Sequence, residues 1–231
     1  MGAYRFFIDV DSFEVGQELE LSHEEAHHMT RVMRVAPGDK ISLTNGKRWQ
    51  AQAVSLEELG RVRVLSCKKT SSSLRPICLV LSMLRPAHLD IAVEKAVELG
   101  VETILLYIAD KSEVKVVSES RERRLQTLIT AAIKQCGRTD RPSLQVTTSL
   151  EKAISFQEYP VLWADLRAGA VPLIEKMKEV EGGVTVCIGP ESGWSKPEVK
   201  LLSEKGSAVV LHSNVLRAET AAIVACSIAG L

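Results

Sequence analysis

No apolar run in the 231 residues reaches the ~18 needed to cross a bilayer. The opening MGAYRFFIDVD also lacks the basic start and apolar core of a secretory signal. A soluble, cytoplasmic protein with no membrane partner is expected. Five cysteines (Cys67, Cys78, Cys136, Cys187, Cys226) are scattered without a CxxC pair. Three of them lie in apolar runs where a thiol acts as a small hydrophobe, so neither a disulfide framework nor a zinc site is indicated. His27 and His28 are adjacent but have no third ligand nearby, and no metal is expected. There is no GxGxxG and no GxxxxGK[ST], which removes support for the usual dinucleotide and nucleoside-triphosphate cradles. Formal net charge is +0, so the chain as a whole exerts no electrostatic pull on nucleic acid. Internal repeats are absent, and the only low-complexity tract is Thr70–Ser73.

What is present is an ordinary globular composition, 45% apolar and 25% charged, which excludes disorder, collagen and coiled coil. In the first third, Tyr4–Val10 suits a short strand. Ser22 with Glu25 three positions on is a capping box that opens a helix running to about Met33. Pro37-Gly38 marks a turn, and KISLTN, then Asn45-Gly46, then KRWQAQAVSL reads as a hairpin on a two-residue turn. RVRVLSC (61–67) alternates basic and apolar residues, as a half-buried strand does. Residues 1–72 are therefore expected to form a small β-barrel-like domain with one inserted helix, with Thr70–Ser73 as the linker to a second domain, 73–231.

From Pro76 the pattern becomes strand and helix in alternation. ICLVLSML, TILLYIA, LQVTT, PVLWA, VTVCIG and AVVLHS are separated by helical segments near 90–99, 119–135, 150–156, 171–180, 197–205 and 218–229. Such alternation predicts a mainly parallel sheet with helices on both faces, an α/β domain. In an open sheet of that kind the loops at the strands' carboxyl ends share a crevice. Two such loops stand out: IGPESGW (188–194) after VTVCI, and HSNVLRAETA (212–221) after AVVL.

Each feature admits two readings. Gly189 and Gly193 let backbone amides approach a ligand and Glu191 can accept from a ribose or amine, yet a Gly-Pro turn can be only a turn. Arg217 and Glu219 sit at the mouth of the last helix, where the dipole favours the acid and opposes the base. That hints at an anionic partner for Arg217, or else at an ordinary first-turn ion pair. Residues 121–141 hold six basic residues against Glu122 and Asp140. Among them Arg138 just past a helix end can cap carbonyls or reach a phosphate. Arg85, at the end of the second domain's first strand, is open in the same way. Arg31, Arg34, Lys47, Arg48, Arg61 and Arg63 crowd the small domain, as a solvated face or an RNA footprint.

Taken in order, HHMTRVMRVAPGD, AVEKAVELGV, AAIKQCGR, IGPESGW and NVLRAETA make the chain resemble the RsmE family. Members of that family are SPOUT-class methyltransferases that modify N3 of a uridine in 16S ribosomal RNA. The resemblance spans essentially the whole chain. It implies a PUA-like RNA-binding β-barrel followed by a parallel α/β domain whose C-terminal part is tied in a trefoil knot, working as a homodimer. It also implies S-adenosylmethionine as cofactor, held by Ala164 and Asp165, by Gly189, Glu191 and Gly193, and by Leu211, Asn214 and Leu216. For catalysis it points to Arg217 as the cation that favours the uridine anion, with Arg138 and Arg85 as further candidates, and to Glu219 as an alternative proton acceptor. Contacts to ribosomal RNA or the small subunit fall to Arg31, Arg34, Lys47, Arg48, Arg61, Arg63 and Arg85. The chain departs from the family pattern at Ser192, where glycine is common, at His212 and Asn214 ahead of the VLR run, at Arg85 near which lysine is common, and at Lys134 before QCGR. Two other classes remain: a non-catalytic RNA-binding protein with the α/β part as dimerisation scaffold, and an α/β enzyme acting on a small metabolite.

Overall fold

The computed structural model describes residues 4–71, 74–112, 114, 116–155, 158–166 and 170–231. Its chain contacts divide into two compact units, residues 1–73 with 130–141 and residues 74–129 with 142–231. Ser72 and Ser73 of the expected linker lie outside the described residues.

The first unit contains β1 (Arg5–Phe7), β2 (Glu18–Glu20), α1 (His23–His27), β3 (Lys40–Thr44), β4 (Trp49–Ser55) and β5 (Arg61–Lys69). The five strands form one curled sheet in the order β1-β3-β4-β5-β2, in keeping with the expected PUA-like barrel. Only the β1–β3 pairing in it is parallel. Period-two alternation sets the inside of β5: Val62 and Val64 are buried while Arg63 is exposed. They pack with Phe6, Met29, Ile41, Leu43 and Ala53 in one apolar core.

The helix expected from Ser22 to about Met33 is α for only five residues and continues as a π turn over His28–Val32. Half of the expected capping box forms, since the Ser22 hydroxyl accepts from Glu25 N at 3.3 Å. The Glu25 carboxylate turns inward instead: it accepts from Phe7 N at 3.1 Å and from the Lys134 ammonium. The β3–β4 hairpin also forms, though without a two-residue turn, because the ladder ends at Thr44↔Gln50. Asn45 is buried and organises the longer loop: its Oδ1 accepts from Lys47 N and Trp49 N, and its Nδ2 donates to Val10 O and Asp11 O. A side chain that satisfies four backbone groups outweighs the tighter turn.

The second unit runs β6 (Ile77–Ser82), α2 (Pro86–Glu98), β7 (Thr103–Tyr107), α3 (Glu119–Cys136, whose last turns group with the first unit), β8 (Ser143–Thr147), α4 (Leu150–Ser155), β9 (Val161–Ala164), β10 (Val171–Pro172), α5 (Leu173–Lys176), β11 (Val184–Ile188), α6 (Lys196–Lys205), β12 (Gly206–Val210) and α7 (Ala218–Ala229). Its seven strands are all parallel, in the order β10-β12-β9-β11-β6-β7-β8. Every residue of β6 and of β11 is buried, as expected of central strands covered on both faces. The segment expected as one helix over 171–180 instead starts with β10 and then holds the short α5 and a 3-10 turn over Met177–Glu179. Pro172 brings no amide hydrogen to a ladder, which confines it to a sheet edge, and β10 is the edge strand. Phe156, expected to close α4, lies outside the described residues. Among the described residues, no helix is long and apolar enough to cross a membrane.

Candidate active site

Sheet order creates the site. β12, β9 and β11 are neighbours, so the segments after their carboxyl ends converge. They enclose a cavity of about 210 Å³ lined by Ala164, Asp165 and Leu166, by Ile188–Glu191, Gly193 and Trp194, and by Leu211, His212, Asn214–Leu216, Ala218 and Ala221. All eight residues that the family resemblance assigns to the cofactor, Ala164, Asp165, Gly189, Glu191, Gly193, Leu211, Asn214 and Leu216, line this one cavity.

The Gly189–Trp194 loop is held from several sides. The Trp194 indole donates to Ala164 O at 2.8 Å, stacks on Tyr107 with centroids 6.5 Å apart and meets Trp163 edge-on at 6.1 Å. This aromatic cluster leaves no room at Gly189, where an added Cβ would sit 2.9 Å from the Trp194 ring. Past the loop, Ser195 and Glu198 form a complete capping box on α6. The Ser195 hydroxyl also donates to Asp110 Oδ2 at 2.6 Å, and Asp110 N to Glu198 Oε1 at 3.2 Å. Lys111 Nζ donates to Trp194 O at 2.9 Å, while Ser192 Oγ donates to Lys111 O at 2.9 Å. The hydroxyl at the position where the family pattern has glycine therefore ties the loop to the chain after β7. The departures at 212 and 214 are joined as well, with Asn214 N donating to His212 Nδ1 at 3.0 Å. That bond closes a turn in the third loop.

Arg217 is the exposed N-cap residue of α7 and makes no side-chain capping bond. Glu219 is buried, 8% exposed, with Oε2 3.8 Å from Nδ1 of His88 in the first turn of α2. Among the described residues, no ion pair joins Glu219 to Arg217. Arg85 is the exposed N-cap of α2. Arg138 belongs to the first unit, where it forks onto Asp140 with Nη2 at 2.6 Å and Nε at 3.3 Å. Burial raises the Asp140 carboxyl and the Arg138 guanidinium outweighs it, leaving it below the usual carboxylate range.

Six of the cations expected to meet RNA lie in the first unit. Lys47 is paired with Asp9 and Asp11, Arg61 with Glu58, and Arg63 with Glu18. Arg31, Arg34 and Arg48 are exposed too, the last two at positive φ, and Arg48 acts electrostatically on Asp140. Burial pushes the Cys78 and Cys226 thiols up to about 12 and Cys187 higher still, so these thiols fill core space and none serves as a nucleophile. Among the described residues, no group of three or more His, Cys, Asp or Glu is arranged to hold a metal.

Sequence reasoning missed His88, the Asp110–Lys111 tether and the Tyr107–Trp163–Trp194 cluster. Two left a trace: Trp194 closes the IGPESGW loop, and His88 lies in the same LRPAHLD stretch as Arg85, after the first strand of its domain.

A family model described as RNA methyltransferase domain matches residues 70–230, and one described as RNA methyltransferase PUA domain matches residues 21–57. Among curated relatives, Ribosomal RNA small subunit methyltransferase E of Rickettsia conorii is 26% identical over 218 residues, covering 88% of this chain and 85% of its own. The protein of the same name from Mycobacterium bovis is 25% identical over 251 residues, covering 100% and 92%. A solved methyltransferase of Legionella pneumophila with bound S-adenosylmethionine aligns at a TM-score of 0.88 and 27% identity, over 99% of this chain and 97% of that one. Ribosomal RNA small subunit methyltransferase E of Neisseria gonorrhoeae, bound to the same cofactor, gives 0.86 and 26%, over 98% and 96%. The resemblance read from the five motifs agrees with these matches, and the chain belongs to the RNA methyltransferase family with a PUA domain, the family of the small-subunit methyltransferases E.

Proposed function

We propose that this protein transfers a methyl group from S-adenosylmethionine to N3 of a uridine in 16S ribosomal RNA of the small subunit. The observation that carries the reading is the convergence of three loops, from three adjacent parallel strands, on one cavity lined by every residue expected to hold that cofactor.

The residues present fit the cofactor. The cavity wall is mostly apolar, with Asp165 and Glu191 as carboxylates suited to a ribose or an ammonium group. Gly189 packs directly beneath the Trp194 ring, which keeps the wall free of a side chain there. No phosphate cradle is present in the sequence, and this cofactor carries no phosphate. When bound, the cofactor supplies an electrophilic methyl on a sulfonium. The chain's own part is then to hold the acceptor in line and to deal with the N3 proton. Arg217, exposed at the mouth of α7, is the cation that stabilises the imide anion. Glu219, two residues on, takes the proton. Positioning of this kind accounts for about 7–11 kcal/mol of barrier in well-oriented reactions.

Residues 1–72 act as the RNA-binding domain and 73–231 as the transferase. Arg31, Arg34 and Arg48 are exposed contacts for phosphates, and Lys47, Arg61 and Arg63 can exchange carboxylate partners for phosphates. Arg85, exposed after β6, serves the RNA on the transferase side. Two copies pair as a homodimer in the cytoplasm, covering apolar residues left exposed in the cavity loops, Val215 at 82% and Leu166 at 53%. The C-terminal segment carries the trefoil knot of the SPOUT class.

Transfer of a tritiated methyl from S-adenosylmethionine to small subunits lacking the modification, with nucleoside analysis, is expected to yield 3-methyluridine. Label in another nucleoside, or none, overturns the proposal. Cofactor titration should also change Trp194 fluorescence, and an unresponsive indole speaks for the scaffold reading instead. Light scattering that finds one chain per particle removes the dimer.

A further inference from the structure

Three side chains from three separate elements meet beside the cavity: His88 from the first turn of α2, Glu191 from the loop after β11, and Glu219 from the first turn of α7. His88 Nδ1 lies 3.8 Å from Glu219 Oε2 and 3.7 Å from Glu191 Oε1. Both His88 Nδ1 and Glu219 Oε2 are buried, and neither has a hydrogen-bond partner among the described residues. Buried polar atoms in folded proteins are nearly always bonded, so two that face each other just beyond bonding distance define a contact that a small side-chain rotation completes. With two carboxylate oxygens facing it, Nδ1 is the nitrogen that carries the proton. The ring stands between the loop that walls the cofactor and the helix that carries the acceptor, while α2 and α7 pack against each other behind it.

We infer that His88 is the positioning residue of the transfer site, its Nδ1–H shared between the carboxylates of Glu191 and Glu219 so that Glu219 stays aimed at the uridine and the two loops keep register. This rests on Glu219 as proton acceptor. In that step the N3–H bond breaks as a Glu219 oxygen takes the proton. The pair left on N3 forms the bond to the methyl carbon, and the pair of the broken sulfur–carbon bond stays on sulfur as a neutral thioether. Glu219 later yields the proton to water. Unanchored, the Glu219 carboxylate is free to rotate away from the acceptor and is repelled by Glu191, so the loss falls on turnover.

The experiment compares the full-length protein with His88→Ala, His88→Asn, Glu219→Gln and the double variant His88→Ala/Glu219→Gln. Each is assayed for kcat and for KM of S-adenosylmethionine, with small subunits lacking the modification as acceptor and thermal unfolding as the check on folding. Glu219→Gln is expected to lower kcat about 100-fold, the scale of general-base assistance, and His88→Ala about tenfold. KM for the cofactor should change by less than about threefold in Glu219→Gln, and by less than kcat does in His88→Ala, since Glu191 lies on the cofactor wall. Asparagine, whose amide reaches the place of Nδ1, should restore most of the turnover and folds even if alanine does not. Adding His88→Ala to Glu219→Gln should cost nothing more, because a residue that acts through Glu219 has no effect once Glu219 is disabled. If Glu219→Gln is impaired but His88→Ala turns over normally, or if His88→Ala costs the same in both backgrounds, the inference falls while Glu219 keeps its role. Loss in both His88 variants with no rescue by asparagine also overturns it. Near-normal turnover in Glu219→Gln removes the acceptor role and the inference together.

Discussion

Gly189→Ala tests the site at its most constrained point. The new methyl carbon would stand 2.9, 3.0 and 3.2 Å from three atoms of the Trp194 ring, where ordinary contact begins near 3.4 Å. The ring must therefore give way by several tenths of an ångström. It has little freedom to do so, with its Nε1 bonded to Ala164 O at 2.8 Å, one face on Tyr107 and an edge against Trp163. Overpacking of a filled core costs about 1–3 kcal/mol, and losing the indole hydrogen bond adds about 1 kcal/mol. In a domain of this size 1 kcal/mol shifts the melting point by about 2–4 °C, so Tm should fall by roughly 4–16 °C. The displaced ring also reshapes the cavity wall shared with Ala164, and S-adenosylmethionine should bind at least about tenfold more weakly, a change of about 1.4 kcal/mol. Calorimetric titration of the cofactor and a thermal scan without it read the two effects separately. An unchanged Kd together with an unchanged Tm refutes the packing argument. A lowered Tm with full affinity refutes the placement of the cofactor against this wall.

Arg217→Ala should lower kcat about 100-fold with cofactor affinity nearly intact, because the N-cap guanidinium acts on developing charge; near-normal turnover removes it from the mechanism. Lys134→Met removes one partner of a largely buried ion pair and strands the Glu25 carboxylate, which also accepts from Phe7 N. The expected cost is about 3–5 kcal/mol on denaturant unfolding, and a loss under about 1 kcal/mol contradicts it. Binding of small subunits should weaken with salt, and Arg31→Ala/Arg34→Ala should reduce the log–log slope by about 1 per lost phosphate contact. An unchanged slope places the RNA elsewhere.

The alternation of apolar strands with helical segments was legible in the sequence because parallel strands buried on both faces read as continuous apolar runs, and both unpaired loops at their ends were legible from glycine and charge. The helix over 171–180 was misread because helical propensity does not reveal that Val171-Pro172 finds a strand edge beside β12. Asn45-Gly46 was misread for a related reason, since the partners of the Asn45 amide, Val10 O and Asp11 O, are distant in sequence. The motifs, in their order, carried the family and with it the cofactor loops.

What the sequence determined by itself is the class of fold, the two-part organisation of its signals and two of the loops that matter, because each follows from local periodicity and residue type; the third loop, at Ala164 and Asp165, came only with the family resemblance. What only the tertiary structure decided is which strands lie side by side, and hence that β12, β9 and β11 deliver those loops to one cavity. It also decided the partners of individual side chains. Arg217 and Glu219 are two residues apart in the chain, yet one faces solvent and the other turns to His88, and Ser192 finds Lys111 O across 81 positions. Such pairings depend on the path of the whole chain, because hydrogen bonds and burial act through space.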